Sequence, residues 1–351
     1  MKLIDCYLSK AIIKTSLTTL LVLTGLSTLI KWGDQFRAIG RGTFSLFDSI
    51  YYVALLIPVD IEMFMPMAVL LGTLLAIGNL SGNNELTVMQ ASGLSKTRII
   101  LASLKTVIPL ILLTMYISEF ISPNLQLKAR QFRSFELSSG AMLHANNNIW
   151  LKDNQHYVHL GEIDEKYRLH NITLYSFEKQ KLKEKIHASL GVYHGNHWKL
   201  KNVQITNFSD DKIQNLNVSF YSWFSNLVPE KLNIIAVHNI SFSIRYLIDH
   251  VLYLKANSQD FLEYELMLWK KMMQPLSIAI MLLLALSVIF GSHRHMATGT
   301  RIILGVILGF SFYTLKEVFG NISVIYGVAP ILGALIPLLI TFCISIILLR
   351  R

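Results

Sequence analysis

Charge and cysteine are what this 351-residue sequence has least of. Only 15% of its residues are Asp, Glu, Lys or Arg, against about a quarter in water-soluble domains. With 52% hydrophobic residues and a mean hydropathy of +0.45, an ordinary soluble protein is excluded. The two cysteines, Cys6 and Cys343, stand near the chain ends. The middle of the chain therefore has none to pair, and its fold must be held by a core alone. Catalytic signatures are scarce too. Gly93-Leu94-Ser95-Lys96-Thr97 ends like a phosphate-binding loop, but Ser95 occupies the place of the second glycine, so the chain is not expected to bind ATP. No Ser-His pairing or His-Glu-x-x-His sits in the apolar runs, which argues against a membrane hydrolase. His194 and His197 have a ligand-like spacing but flank a Gly-Asn turn without Cys or carboxylate company, so no metal or other cofactor is expected.

What is present is unevenly placed. A bilayer core of about 30 Å needs roughly 20 mostly apolar helical residues. Six runs approach that length: Thr15 to Ile30, Glu62 to Leu80, Ile99 to Ile121, Met272 to Phe290, Ile302 to Phe319 and Ala329 to Leu349. The first follows a lysine-bearing stretch and lacks a small-residue cleavage site, so it is expected to remain as a span. Lys2, Lys10, Lys14, Lys96, Arg98, Arg294, Arg301, Arg350 and Arg351 occupy the tails and two of the short loops. Because such charges stay on the cytoplasmic side, both termini are expected inside and the long middle segment outside.

The middle segment combines β-formers and turn residues. Tyr157 to Leu160, Ile172 to Phe177 and Val218 to Phe224 read as strands, punctuated by Gly195-Asn196 and Ser209-Asp210-Asp211. Many short strands without helical pattern predict a sandwich or jelly roll. From about Ser241 to Lys271 helical spacing returns, with Leu247, Val251, Leu254, Leu262, Leu266 and Trp269 at threes and fours. The fold class is thus a polytopic α-helical membrane protein of six spans with an inserted all-β, jelly-roll-like domain. Its divisions fall at residues 1–122, 123–257 and 258–351.

Two segments carry candidate function. In the loop between the second and third spans, Asn83 or Asn84 can cap a short helix over residues 84–93, with Glu85 in its first turn and Gly93 as its stop. Leu86 and Met89 share a face that can dock in another protein's groove or rest on lipid headgroups. On the opposite side Lys31, Arg37 and Arg41 follow the first span, and Arg130 and Arg133 follow the third, against the inside bias. Such charges suit a phosphate-bearing lipid, although with Asp34 and Asp48 nearby they also suit a plain solvated loop. Within the runs, Lys105 and Glu119 can snorkel, and Lys316 and Glu317 suggest an internal ion pair or a transport role.

Several segments together carry a resemblance: Asn84-Glu85-Leu86-Thr87-Val88-Met89-Gln90-Ala91-Ser92-Gly93, Trp269 to Ser277, Ala285 to Gly291 and Tyr326 to Leu335, along with Ala129 to Arg133 and Trp150 to Asp153. They resemble the LptF/LptG permease family of lipopolysaccharide export over essentially the whole chain. The resemblance implies a multi-pass protein of the bacterial inner membrane that is not itself an enzyme. It implies an LptF-like permease partner, an LptB-like ATPase dimer, an LptC-like bitopic protein and an LptA-like periplasmic bridge, with no nucleic acid. It further implies a jelly-roll domain in the periplasm, ATPase coupling through Glu85, Leu86 and Met89, and lipid phosphate contacts at Lys31, Arg37, Arg130 and Arg133, with Arg41 added from the charge pattern. Ala38 and Val59 depart from the family, since basic residues can stand at both positions, and so the mouth here carries fewer charges. An alternative is a mechanotransmitting ABC subunit, which would also have an outer domain and a coupling helix but no lipid-sized cavity; bound lipopolysaccharide separates the two.

Overall fold

The computed structural model describes residues 2–137, 149–153, 156–164, 168–178, 181–195, 197–208, 213–225, 242–257, 259–290 and 298–350. The expected runs all become helical, and the helices of the first, second, third and fifth runs extend well beyond them. Helix α1 spans Lys2–Gln35, α2 Leu46–Gly82, α3 Glu85–Ala91 and α4 Lys96–Tyr116. A π turn at Ile117–Ile121 joins α4 to α5, Ser122–Leu137, so the third span runs on well beyond the expected boundary at residue 122. After the sheet come α6, Ile244–Ala256; α7, Leu262–Met272; α8, Gln274–Phe290; α9, Thr298–Ile325; and α10, Pro330–Arg350. Among the described residues five helices are long and apolar enough to cross a membrane, and α7 with α8 makes a sixth, bent by 51°. Pro275 accounts for the break, because it has no N–H to return to the last turn of α7.

Helix α2 is the centre of the bundle, packed against α1, α8, α9 and α5. Its 37 residues would run about 55 Å at about 1.5 Å per residue, which exceeds a bilayer core of about 30 Å. It starts with a capping box in which the Ser45 hydroxyl accepts from the Asp48 N–H and the Asp48 carboxylate accepts from the Ser45 N–H. Leu70, Leu74 and Ile77 of α2 meet Ile278, Leu282 and Ala285 of α8 in the buried core. At the crossing with α1, a Cβ on Gly72 would stand only 2.4 Å from the Ser16 Cα, and the Thr15 hydroxyl donates to the Gly72 carbonyl at 2.8 Å. Outward from this core, Leu21, Leu26 and Leu29 of α1 and Ile303, Ile307 and Phe310 of α9 are exposed, as on a surface whose solvent is lipid.

The inserted domain is an antiparallel sheet of β1, Ile149–Asp153; β2, His156–Ile163; β3, Leu169–Glu178; β4, Lys181–Tyr193; β5, Trp198–Phe208; and β6, Ile213–Trp223. Strand periodicity puts one face inside: Val158, Leu174, Ile186 and Ile205 align across four strands, as do Leu160, Ile172, Ala188 and Val203. Trp198 and Trp223 close that core. The all-β insertion is as expected. Among the described strands the order is consecutive and antiparallel, each strand pairing with its sequence neighbour. The Ser209-Asp210-Asp211 turn lies outside the described residues, while Gly195 adopts the positive φ of 68° that suits its turn.

The α1–α2 crossing gives a direct test. Gly72→Leu should destabilise the folded protein by about 1–3 kcal/mol or more through overpacking, read as a lowered melting temperature in detergent. An unchanged melt would mean that the helices can separate at this point without cost.

Candidate functional site

At the sheet-bearing end the structure brings three of the basic candidates, Lys31, Arg130 and Arg133, toward one another. Lys31, one turn before the end of α1, makes an ion pair with Asp60 of α2, whose second carboxylate oxygen accepts from the Ser27 hydroxyl at 3.2 Å. The Asp60 side chain is 3% exposed and that of Lys31 34%, so the pair is closed on one side and open on the other. One turn on, Gln35 donates to the Lys31 carbonyl at 3.3 Å and accepts from the Arg133 Nε at 3.0 Å. The Arg133 guanidinium also lies 5.5 Å from the centre of the Tyr52 ring. Arg130, three residues earlier on α5, is half-buried on the same helix face. The loop after α1 is clasped to the end of α5: the Thr43 N–H donates to the Glu136 carbonyl at 2.8 Å. Gly42 is required there, because its φ is 63° and a Cβ would lie 2.4 Å from that same carbonyl oxygen. Arg37 and Arg41 are exposed on this loop.

At the other end, α3 holds the second group of candidates. Of the two candidate caps, Asn83 and Asn84, it is Asn84 that precedes the helix, in the left-handed conformation and without a side-chain cap bond. Glu85 instead accepts from the Tyr7 hydroxyl of α1 at 2.9 Å. Leu86 turns inward and joins the chain's own core, and Met89 is half-buried. The apolar side chain that α3 offers outward is Val88, beside Thr87.

Between these ends lies a polar cluster that the sequence only hinted at. Lys271 of α7 donates to the Ser118 carbonyl at 2.8 Å and the Phe242 carbonyl at 2.5 Å, and stands 3.9 Å from the Glu62 carboxylate. The π turn makes this possible by redirecting the Ser118 carbonyl from the helix ladder. Glu62 also accepts from the Ser118 hydroxyl at 2.8 Å, and its backbone carbonyl accepts from Gln274 at 2.8 Å. Glu119 accepts the Ile244 N–H at 2.8 Å, so it anchors the start of α6 and does not merely reach for water. Lys316 and Glu317 do not pair with each other. Glu317 binds Lys270 at 3.0 Å and Lys316 donates to the Gln274 side chain at 3.2 Å, because neighbours on a helix diverge by about 100°. Lys105 is exposed. A cavity of about 550 Å³ opens beside the cluster, with Met63, Met67, Phe310 and Tyr313 on its apolar wall and Lys270, Lys271 and Lys316 at its polar end.

An aromatic ladder carries this cluster toward the sheet. Phe242 stacks on Tyr246 at 4.9 Å, Tyr246 on His250 at 5.4 Å, and His250 meets Tyr264 edge-on at 4.5 Å. Burial raises the Tyr246 hydroxyl above the usual tyrosine range, with Tyr264 adding to it. Burial also pushes Tyr253 up to about 12, with a smaller contribution from Asp153 at the end of β1, so α6 sits close to the sheet. These tyrosines remain neutral donors at any physiological pH.

Asp60, Gln35, Glu62 and Lys271 were missed as site residues. Asp60 lies just before the second apolar run and Glu62 at its first residue, and the length of α2 carries both into the bundle.

Helices that cross a membrane around a cavity, with cations at one rim and a short exposed helix at the other end, make this a multi-pass membrane permease. The lipopolysaccharide export system permease LptF/LptG family matches residues 6–351, and the chain belongs to that family. It is 39% identical over 343 residues to the lipopolysaccharide export system permease protein LptG of Haemophilus influenzae, covering 96% of this chain and 95% of that one. It is 38% identical over 352 residues to the protein of the same name from Escherichia coli K12, covering 99% and 98%. The chain is accordingly an inner-membrane permease subunit of the LptG kind.

Lys271 should be the most sensitive residue of the polar cluster. Lys271→Ala strands the Glu62 carboxylate and two backbone carbonyls in the bundle, and breaking a buried pair costs about 3–5 kcal/mol. The expected result is poor recovery of folded protein and a lowered melting temperature. Lys271→Ala combined with Glu62→Gln, which removes the orphaned charge, should recover part of that loss.

Proposed function

We propose that this chain is the half of an ABC permease that holds lipopolysaccharide by its phosphates at the periplasmic mouth and passes it to a periplasmic bridge for export. The observation that carries the reading is the linking of Lys31 and Arg133, about a hundred residues apart in sequence, through Gln35 at one end of the bundle, with Arg130 beside Arg133 on α5. Charge-assisted bonds to a phosphate are worth about 1.5–3 kcal/mol each in a partly dehydrated site. Arg37 and Arg41 on the neighbouring loop extend the same positive rim. In this reading the sheet domain is periplasmic and both termini are cytoplasmic. The exposed faces of α1 and α9 meet lipid and an LptF-like permease, and an LptC-like protein and an LptA-like bridge receive the lipid. ATP is hydrolysed by an LptB-like dimer that α3 touches through Glu85, Val88 and Met89, while Leu86 fixes α3 to the bundle.

Asp60 changes which variant tests the mouth. Lys31→Asp would set two carboxylates against each other inside the bundle, so a folding defect would obscure the binding defect. Lys31→Gln with Arg133→Glu avoids that. The pair should reduce photocrosslinking of lipopolysaccharide to the purified complex by about tenfold or more, the loss of one charge-assisted contact, with ATPase activity retained. Normal crosslinking would show that acyl-chain contacts hold the lipid. At the other end, Glu85→Ala should leave the membrane fold intact and uncouple ATP hydrolysis from lipid release; unaltered coupling would reduce Glu85 to a partner of Tyr7. Topology is checked by labelling intact cells, where cytoplasmic access to Lys199 would overturn the orientation.

A further inference from the structure

We propose that Asp60 is a positioning residue that competes with the lipid phosphate for Lys31 and thereby keeps the lipid releasable. The proposal rests on the reading of Lys31 as a phosphate contact. Both Asp60 oxygens are engaged, one by the Lys31 ammonium and one by the Ser27 hydroxyl. The carboxylate is almost wholly enclosed, whereas about a third of the Lys31 side chain remains open. An ammonium placed this way has one anion fixed behind it and one accessible side in front.

The consequence is electrostatic. A carboxylate inside a membrane bundle persists only with a cation beside it, so Asp60 holds Lys31 in place before any lipid arrives. A phosphate approaching the open side meets an ammonium whose charge is already partly neutralised. It also feels the like charge of Asp60 through an enclosed medium that screens poorly. The contact orients the phosphate yet binds it less tightly than an isolated lysine would. Conduction through a membrane needs sites strong enough to admit a ligand and weak enough to let it go. Arg133 is held differently: its guanidinium is fixed by the neutral Gln35 side chain and the Tyr52 ring, which leave its charge intact. Lys31 is thus the attenuated cation of the mouth, beside Arg133 with its charge intact.

The test uses the whole complex of both permeases with their ATPase, loaded with lipopolysaccharide, and reads two quantities: the salt concentration at which half of the crosslinked lipid is lost, and the rate of ATP-driven release. Asp60→Asn should raise the half-loss salt concentration and slow release by about tenfold, the change worth one charge-assisted contact. In a Lys31→Gln background the same Asp60→Asn change should do neither. Asp60→Glu, which keeps the charge, should resemble the unaltered chain in both readings. Asp60→Asn that releases lipid at the normal rate with normal salt dependence overturns the inference. So does an equal effect with and without Lys31, which would mark Asp60 as a purely structural residue. If Asp60→Asn fails to assemble, Ser27→Ala takes its place: with one donor gone, Asp60 should draw Lys31 more strongly and lower the half-loss salt concentration, and an unchanged value again overturns the inference. Lys31→Gln alone separates the two levels, since normal crosslinking there defeats the reading of Lys31 as a phosphate contact, whatever Asp60 does.

Discussion

Every carboxylate within the helical bundle must have a cation or a set of N–H groups beside it, and most of the architecture follows from meeting that requirement. Asp60 is met by Lys31, Glu62 by Lys271, Glu317 by Lys270, and Glu119 by the first amide of α6. Each arrangement joins two elements, α1 to α2, α2 to α7, α7 to α9, and the π turn to α6, and all but the first are far apart along the chain. The apolar core between α2 and α8 supplies the bulk of the packing, but apolar contacts alone do not fix how far one helix slides along another. In lipid, where the hydrophobic effect between helices is absent, specific polar contacts and close backbone approaches carry that burden.

The π turn at Ile117–Ile121 is where membrane and sheet domain are tied together. One helical rod runs from Lys96 to Leu137, and its irregular turn exposes the Ser118 carbonyl to Lys271 and aims Glu119 at α6. Because Lys271 also holds the Phe242 carbonyl, the outgoing and returning arms of the inserted domain are fastened to the same point of the bundle. The bent junction of α7 and α8 places Lys270, Lys271 and Gln274 on this point together.

The span count and the β character of the middle segment were legible because hydrophobic period and run length are local properties. The topology of the sheet was less so: strand formers and turn residues identify strands but not the order of their pairing. Among site residues, the cations at the mouth stood out through their violation of the inside bias. Their counterparts did not. Asp60 stands outside the second apolar run and Glu62 at its very start, and their place in the bundle shows only once α2 is known to extend from Leu46 to Gly82. Leu86 read as an outward ridge because spacing gives which residues share a face but not where that face points; contact with the core of the bundle decides it. The Lys316–Glu317 pairing failed for a simpler geometric reason, since adjacent helical residues point in different directions.

The clasp between the α1–α2 loop and α5 bears on how such a mouth diverges among relatives. Its main contacts run to backbone: Thr43 to the Glu136 carbonyl, and Gly42 pressed against the carbonyls of Glu136 and Leu137. A carbonyl is the same whatever side chain it carries, so position 137 is free to drift while position 42 tolerates no Cβ. The invariant mark of this mouth across a lineage should therefore be a glycine, and arginines can be traded between the loop and α5 so long as that glycine holds the two segments in register.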